Sequence, residues 1–179
     1  MSLRSVAAAI QRVETVLRRR PDMGLHEDEC ATALWQGGMR AVSVHANGTQ
    51  VVTDLPQELG GEGEHVTPGW LFRAGFASCA ATSIAMHAAT QAIELTALEV
   101  KATSRSDARG LLGMAESDGT PVYAGPLDMQ LSVRIGANGV SAQRLHSLVE
   151  EALRCSPIPN AVRNAVPVQL SLRIDTGKE

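Results

Sequence analysis

The sequence predicts an α+β fold, with helices segregated on one face of a largely antiparallel sheet. Three observations carry this expectation. The stretch Thr67 to Gln91 is apolar on nearly every side and opens with helix-start signals. Residues Cys30 to Leu55 break into short β-forming runs separated by turn residues. Two later runs, Leu127 to Ile135 and Val168 to Ile174, alternate apolar and polar side chains at the period of a half-buried strand.

The elements follow in order. Leu3, Val6, Ala7, Ile10, Val13 and Leu17 recur at helical spacing, with Arg4, Arg12, Glu14 and Arg18 on the other side. Arg18, Arg19 and Arg20 suit the negative end of that helix and Pro21 stops it; capping and solvation compete with anion binding as readings of these arginines. A three-stranded meander is expected next, over Cys30 to Trp35, Arg40 to Ala46 and Thr49 to Asp54, which places Cys30 in a strand as a core residue. Gly37 and Gly38 mark one turn, and Asn47 and Gly48 predict a two-residue hairpin with positive φ at both positions. The following segment, LPQELGGEGEHV, fits neither period and reads as a loop. Its glycines lack the lysine of a phosphate cradle, and Glu58, Glu62 and Glu64 repel phosphate.

Thr67 is the expected N-cap of the central helix and Pro68 suits its first position. A helix apolar all round is buried on several sides, and one sheet cannot cover it. A homodimer burying this helix is therefore expected. Leu95 to Ser104 should form a strand, and residues 105–125 a connection with one helical turn at Leu111 to Ala115. Ser141 caps a further helix whose stripe is Leu145, Leu148, Val149, Ala152 and Leu153. Cys155 ends it where Ser156, Pro157 and Pro159 prevent continuation, and residues 160–165 add a helical turn before the final strand.

Composition narrows the function. The formal net charge is −3, and 16 basic and 19 acidic residues are interspersed, so no concentrated positive surface is offered to nucleic acid or acidic lipid. No apolar run reaches the ~20 residues of a membrane span, and charged residues interrupt the N-terminal segment where a secretory signal would be apolar, so a cytoplasmic location is expected. Three cysteines, Cys30, Cys79 and Cys155, are too few for a disulfide scaffold and lack zinc-finger spacing.

The cysteines on helices invite a chemical reading. If the Cα atoms of Cys79 and Cys155 lie within about 4.4–6.8 Å, one thiolate attacking a peroxide would give a sulfenic acid that the other resolves to a disulfide. Cys79 is too deep in its helix to gain from the N-terminal dipole, so the thiolate needs a neighbouring cation, with Arg40, Arg73, His65 and His87 as candidates. The competing reading is structural, because a cysteine in an alanine-rich helix serves equally as a small apolar filler. His65 and His87 with the cysteines would suggest a metal site, but no close ligand pair is present.

The segments ELGGEGEHVTPGWLFRAGFASC and CSPIPNAV, in that order, resemble the glycine-rich loop with its cysteine helix and the second-cysteine segment of the osmotically induced protein C and organic hydroperoxide resistance (OsmC/Ohr) family. DARGLLG and VPVQLSL are similar to further family segments. The similarity runs from about Ala31 to Ile174, which makes residues 26–179 an OsmC-like domain and residues 1–25 an N-terminal helical extension. The resemblance implies an OsmC-like fold, with long central helices enclosed by sheets in an intertwined homodimer. It also implies thiol-dependent reduction of organic or inorganic hydroperoxides, with no metal or organic cofactor and an external thiol or dithiol as reductant.

Carried over residue by residue, the resemblance makes Cys79 the peroxidatic cysteine, Cys155 the resolving cysteine and Arg40 the thiolate-stabilising arginine. This sequence departs from the pattern in three places. Met39 stands between the paired glycines and Arg40; Thr67, Pro68 and Gly69 replace Asn-Pro-Glu; and Cys155, Ser156 and Pro157 replace Cys-Pro. Glu64 is the candidate for the missing glutamate, against a plain solvated charge. Trp70, Leu71, Phe76 and Met86 would favour a hydrophobic organic hydroperoxide, against a reading as core. Gly69 also motivates an alternative, a noncatalytic family member that binds a small apolar ligand or only responds to oxidation.

Overall fold

The computed structural model describes residues 3–176. Five helices and five strands follow one another as α1 (Leu3–Arg19), β1 (Thr32–Trp35), β2 (Ala41–Val44), β3 (Gln50–Thr53), α2 (Pro68–Thr90), β4 (Leu95–Arg105), α3 (Ala108–Leu111), β5 (Leu127–Ala137), α4 (Ala142–Arg154) and α5 (Pro157–Arg163) among the described residues. The class is the expected α+β. The antiparallel strands divide into two sheets, however: β1, β2 and β3 pair in sequence order, and β4 pairs with β5.

Helix α2 forms where its end signals place it. Thr67 Oγ1 accepts from the Trp70 amide at 3.1 Å, Pro68 needs no hydrogen-bond acceptor at the first position, and Gln91 closes the other end. Phe76, Ala80, Ser83, Ile84, Ala88 and Ala89 are buried along it, against β4, α4, α1 and α5. Trp70, Phe72 and Met86 stay exposed, so the single chain leaves part of this helix uncovered. Ser141 caps α4 by accepting from the Arg144 amide at 3.2 Å, and the α4 stripe packs Leu145 and Leu148 onto Ala88 and Ile93. Leu95, Ile135, Ala137 and Val140 complete this core.

Strands β4 and β5 pair over their length, from Leu95 opposite Ala137 to Arg105 opposite Leu127, with Glu99 facing Arg134 across the ladder. The first sheet is registered by Trp35 opposite Ala41 and by Ala41 opposite Thr53. Its second turn differs from the two-residue hairpin. The chain uses His45 to Thr49, with the His45 amide donating to the Thr49 carbonyl at 2.9 Å. Gly48 has φ +87°, whereas Asn47 stays out of the left-handed region and its side-chain oxygen accepts from the Thr49 amide.

Four further expectations are corrected. Cys30 lies before β1 and is exposed, because that strand starts only at Thr32. The helical turn of the 105–125 connection sits at Ala108–Leu111, started by Asp107, which accepts from the Arg109 amide. Pro157 and Pro159 begin helix α5, since the first helical turn requires no amide hydrogen bonds. Val168 to Ile174 forms no strand: it is exposed, with Val168 at 92% and Leu170 at 83%, because among the described residues no strand pairs with it.

Candidate functional site

Two constellations contain the residues singled out by chemistry. The first is centred on Cys79, in the middle of α2. Its half-buried sulfur lies 3.3 Å from Ser156 Oγ, a hydrogen bond in which either atom can donate. Ser156 is wholly buried, at 0% exposure. Cys155, one residue earlier, is exposed at the C-terminal end of α4. The structure therefore brings Ser156 to the helix thiol and leaves Cys155 outside, with all three cysteines free.

The turn that does this is held from behind. Asn160 Nδ2 donates to the Arg154 carbonyl at 2.9 Å and the Ser156 carbonyl at 2.8 Å, with a longer contact to the Leu153 carbonyl at 3.4 Å. The Arg154 carbonyl is one that the end of α4 leaves without an intrahelical donor, whereas the Ser156 carbonyl also accepts from the Asn160 amide at 3.1 Å as α5 begins. Pro159, in the first turn of α5 that follows, is buried.

The second constellation lies at the open end of the first sheet. Arg40 follows the β1 to β2 turn and is paired with Glu62 and, at 3.3 Å, with Glu64. Behind it Asp54 is buried, its carboxylate accepting from the Leu55 amide at 2.8 Å and the Glu62 amide at 3.0 Å. Burial by itself raises the Asp54 carboxyl, but amide donors from Leu55, Glu62 and Gly63 and the positive charge of Arg40 outweigh it, holding the group below the ordinary range. Gly61 makes this closure possible: a Cβ there would lie 1.8 Å from the Leu55 carbonyl oxygen. A cavity of about 190 Å³ opens beside Arg40, lined also by Gln36, Met39, Asp54 and Glu62.

The two constellations are not joined within the chain. Among the described residues neither Arg40 nor Glu64 shares a hydrogen bond or ion pair with Cys79. The other candidate cations are engaged elsewhere or exposed. Arg73 Nη1 donates to Ser104 Oγ at 3.5 Å, His87 Nδ1 donates to the Ser83 carbonyl at 2.9 Å, and His65 is exposed. No group of three or more His, Cys, Asp or Glu side chains among the described residues is placed to hold a metal ion.

A larger apolar cavity, about 560 Å³, opens at the start of α2 between Leu55, Pro68, Phe72, Arg73, Leu111 and Pro126. None of Trp70, Leu71, Phe76 and Met86 lines it. Phe76 is core, Leu71 is half-buried, and Trp70 and Met86 face outward. Sequence reasoning missed Ser156, Asp54 and Glu62. The available signal for Ser156 was its position before Pro157, and for Asp54 the acidic residue directly ahead of the glycine-rich loop.

The chain has recognisable relatives. A family model described as OsmC-like protein matches residues 61–171. An organic hydroperoxide resistance protein of Xanthomonas axonopodis pv. citri is 29% identical over 118 residues, covering 65% of this chain and 74% of the relative. An OsmC-like protein from Mycoplasma pneumoniae superposes with a TM-score of 0.64 at 15% identity, covering 79% of this chain and 91% of that one. An organic hydroperoxide resistance protein OsmC from Legionella pneumophila gives 0.57 at 24% identity, covering 84% and 99%. These structural likenesses concern the fold. The family match takes in the glycine-rich loop from Gly61, the Cys79 helix and the Ser156 turn, and the chain belongs to the OsmC-like protein family.

Proposed function

We propose that this protein reduces hydroperoxides, with organic hydroperoxides as the main substrates, and that Cys79 is the reacting group. Its thiolate attacks the distal peroxide oxygen, the O–O bond breaks, and the departing alkoxide takes a proton to leave as an alcohol. The sulfur is oxidised to a sulfenic acid, and an external thiol or dithiol returns it to the thiol. The observation that carries this reading is the Cys79 sulfur held in α2 against a buried hydroxyl. Relatives named for organic hydroperoxide resistance support it.

Arg40, oriented by Glu62 and Glu64, is the proposed source of positive charge for the thiolate. Because Arg40 is not bonded to Cys79 in one chain, the working unit is proposed to be the intertwined homodimer, where a cation can come from the other copy. Exposed apolar side chains on α2 and along Val166 to Ile174 support this assembly. The resolving role that the resemblance implies for Cys155 would require the turn to exchange Ser156 for Cys155 against the thiol. Free cysteines suit a reducing, cytoplasmic setting, and no helix among the described residues is long and apolar enough to cross a membrane.

Single-turnover consumption of cumene hydroperoxide by the reduced protein tests the proposal. The wild type should consume about one equivalent per Cys79, and Cys79→Ser none; equal consumption by both would refute the assignment. The apolar cavity at the α2 N-terminus favours a second reading, a noncatalytic binder of a small apolar ligand. Saturable binding of an apolar fluorophore by a wild-type protein that consumes no peroxide would select that reading.

A further inference from the structure

We infer that Ser156 is the hydrogen-bonding partner that holds the reacting sulfur of Cys79, and that the oxidised sulfur is reduced directly by an external thiol, with Cys155 outside the cycle. The inference rests on Cys79 being the peroxide-reactive thiol. Ser156 is wholly buried, and among the described residues the hydrogen-bond partner of its hydroxyl is the Cys79 sulfur, 3.3 Å away. A buried hydroxyl that faces a thiol can donate to the sulfur as a thiolate forms, a charge-assisted bond stronger than its neutral counterpart.

The geometry also keeps Cys155 away. Residues 155 and 156 are consecutive, and the turn that points Ser156 inward exposes Cys155. Bringing the Cys155 sulfur to Cys79 would take Ser156 out. It would also disturb the Asn160 bonds to the Arg154 and Ser156 carbonyls and the buried seat of Pro159. A resolving thiol must come within covalent reach of the sulfenic sulfur, and that place is filled by a serine.

The resulting cycle balances without Cys155. Hydroperoxide takes two electrons from the Cys79 thiolate and leaves, after protonation, as an alcohol, giving Cys79 sulfenic acid. A thiol attacks that sulfur, expelling water and forming a mixed disulfide. A second thiol attacks the mixed disulfide, releasing the external disulfide and regenerating Cys79. In sum, one hydroperoxide and two thiols become one alcohol, one disulfide and one water. The dithiol form of the reductant supplies both sulfurs from one molecule.

The test uses the full chain. Reduced wild type is given one equivalent of cumene hydroperoxide, and the products are read by intact mass with dimedone as a sulfenic acid trap. The expected product is a dimedone adduct at Cys79 with no internal disulfide, and Cys155→Ser should turn over with dithiothreitol at the wild-type rate. A Cys79–Cys155 disulfide in wild type, or loss of turnover in Cys155→Ser with peroxide consumption intact, would overturn the external-thiol step.

The role of Ser156 is read separately, by alkylation of Cys79 with iodoacetamide at neutral pH in a Cys30→Ser, Cys155→Ser background. Ser156→Thr and Ser156→Val have the same shape and differ in the hydroxyl, so folding affects both alike. The threonine variant should alkylate about tenfold faster than the valine variant, the scale of one hydrogen bond to a charged group. Equal rates would overturn the role of the hydroxyl. Placing sulfur at the position itself, with Ser156→Cys, should create an internal disulfide with Cys79 after one equivalent of peroxide. Failure of wild type to consume peroxide would instead remove the peroxidase reading, an outcome distinct from a Cys79–Cys155 disulfide.

Discussion

Replacing Gly61 with alanine should damage both stability and the Arg40 corner. The added Cβ would lie 1.8 Å from the Leu55 carbonyl oxygen, 2.4 Å from its carbon and 2.8 Å from Asp54 Oδ1, where real Cβ contacts essentially never fall under 3.0 Å. Clearing the oxygen takes a displacement of about 1.2 Å, and two of the three obstructing atoms are backbone that cannot rotate aside. Overpacking of this kind costs about 1–3 kcal/mol. At about 2–4 °C per kcal/mol for a chain of this size, the midpoint of thermal unfolding should fall by about 2–12 °C. The same displacement moves the Glu62 amide off Asp54 and loosens Glu62 and Glu64 from Arg40, so single-turnover peroxide consumption should also slow. Circular dichroism melting and cumene hydroperoxide consumption measure the two effects. Gly69→Ala is the control: its Cβ would sit 3.7 Å from Arg73 Nη1, ordinary contact, and the change should stabilise α2 by up to about 1 kcal/mol. A Gly61→Ala protein that melts within about 1 °C of wild type and reacts at the same rate would refute the packing argument.

Three other outcomes are expected. Leu148 is fully buried between α4 and α2, so Leu148→Ala should cost about 2–5 kcal/mol in urea unfolding, and a loss below about 1 kcal/mol would contradict its place in the core. The Asp54 carboxyl is held below its ordinary range, so its contribution to stability is present at neutral pH and is lost as the pH falls below that ordinary range; Asp54→Asn should lower the melting midpoint at neutral pH and flatten its decline on acidification. The combined change Leu170→Lys and Leu172→Lys should convert the proposed dimer to monomer in sedimentation, because both side chains are exposed in the single chain; an unchanged dimer would place the interface elsewhere.

Much of the fold was legible because its signals are local. Thr67 and Pro68 begin α2, Ser141 begins α4, and apolar alternation marks β4 and β5, each decided within a few residues. Val168 to Ile174 alternates just as well and forms no strand, because alternation records what the side chains would bury and says nothing about which chain supplies the partner. Cys79 was legible as a thiol in the middle of its helix, but the residue facing it was not. Cys155 carries the conspicuous side chain of that segment, whereas a one-residue offset in a turn exchanges the inward and outward side chains and brings in Ser156. Asp54 escaped because its partners are backbone amides, which carry no residue signature.

The two constellations differ in how far along the chain their bonds reach. Asp54 meets Glu62 across 8 positions, and Arg40 meets Glu64 across 24, so that corner is closed by neighbours in sequence at small entropic cost. Cys79 meets Ser156 across 77 positions, and that contact exists only when α2 and the α4 to α5 turn are both docked. Native-state hydrogen exchange should therefore find two separately opening units, the corner with the first sheet and the thiol with the helical core. Transient opening of the corner would leave the Cys79 sulfur guarded, so the charged cluster can fluctuate without exposing the thiol.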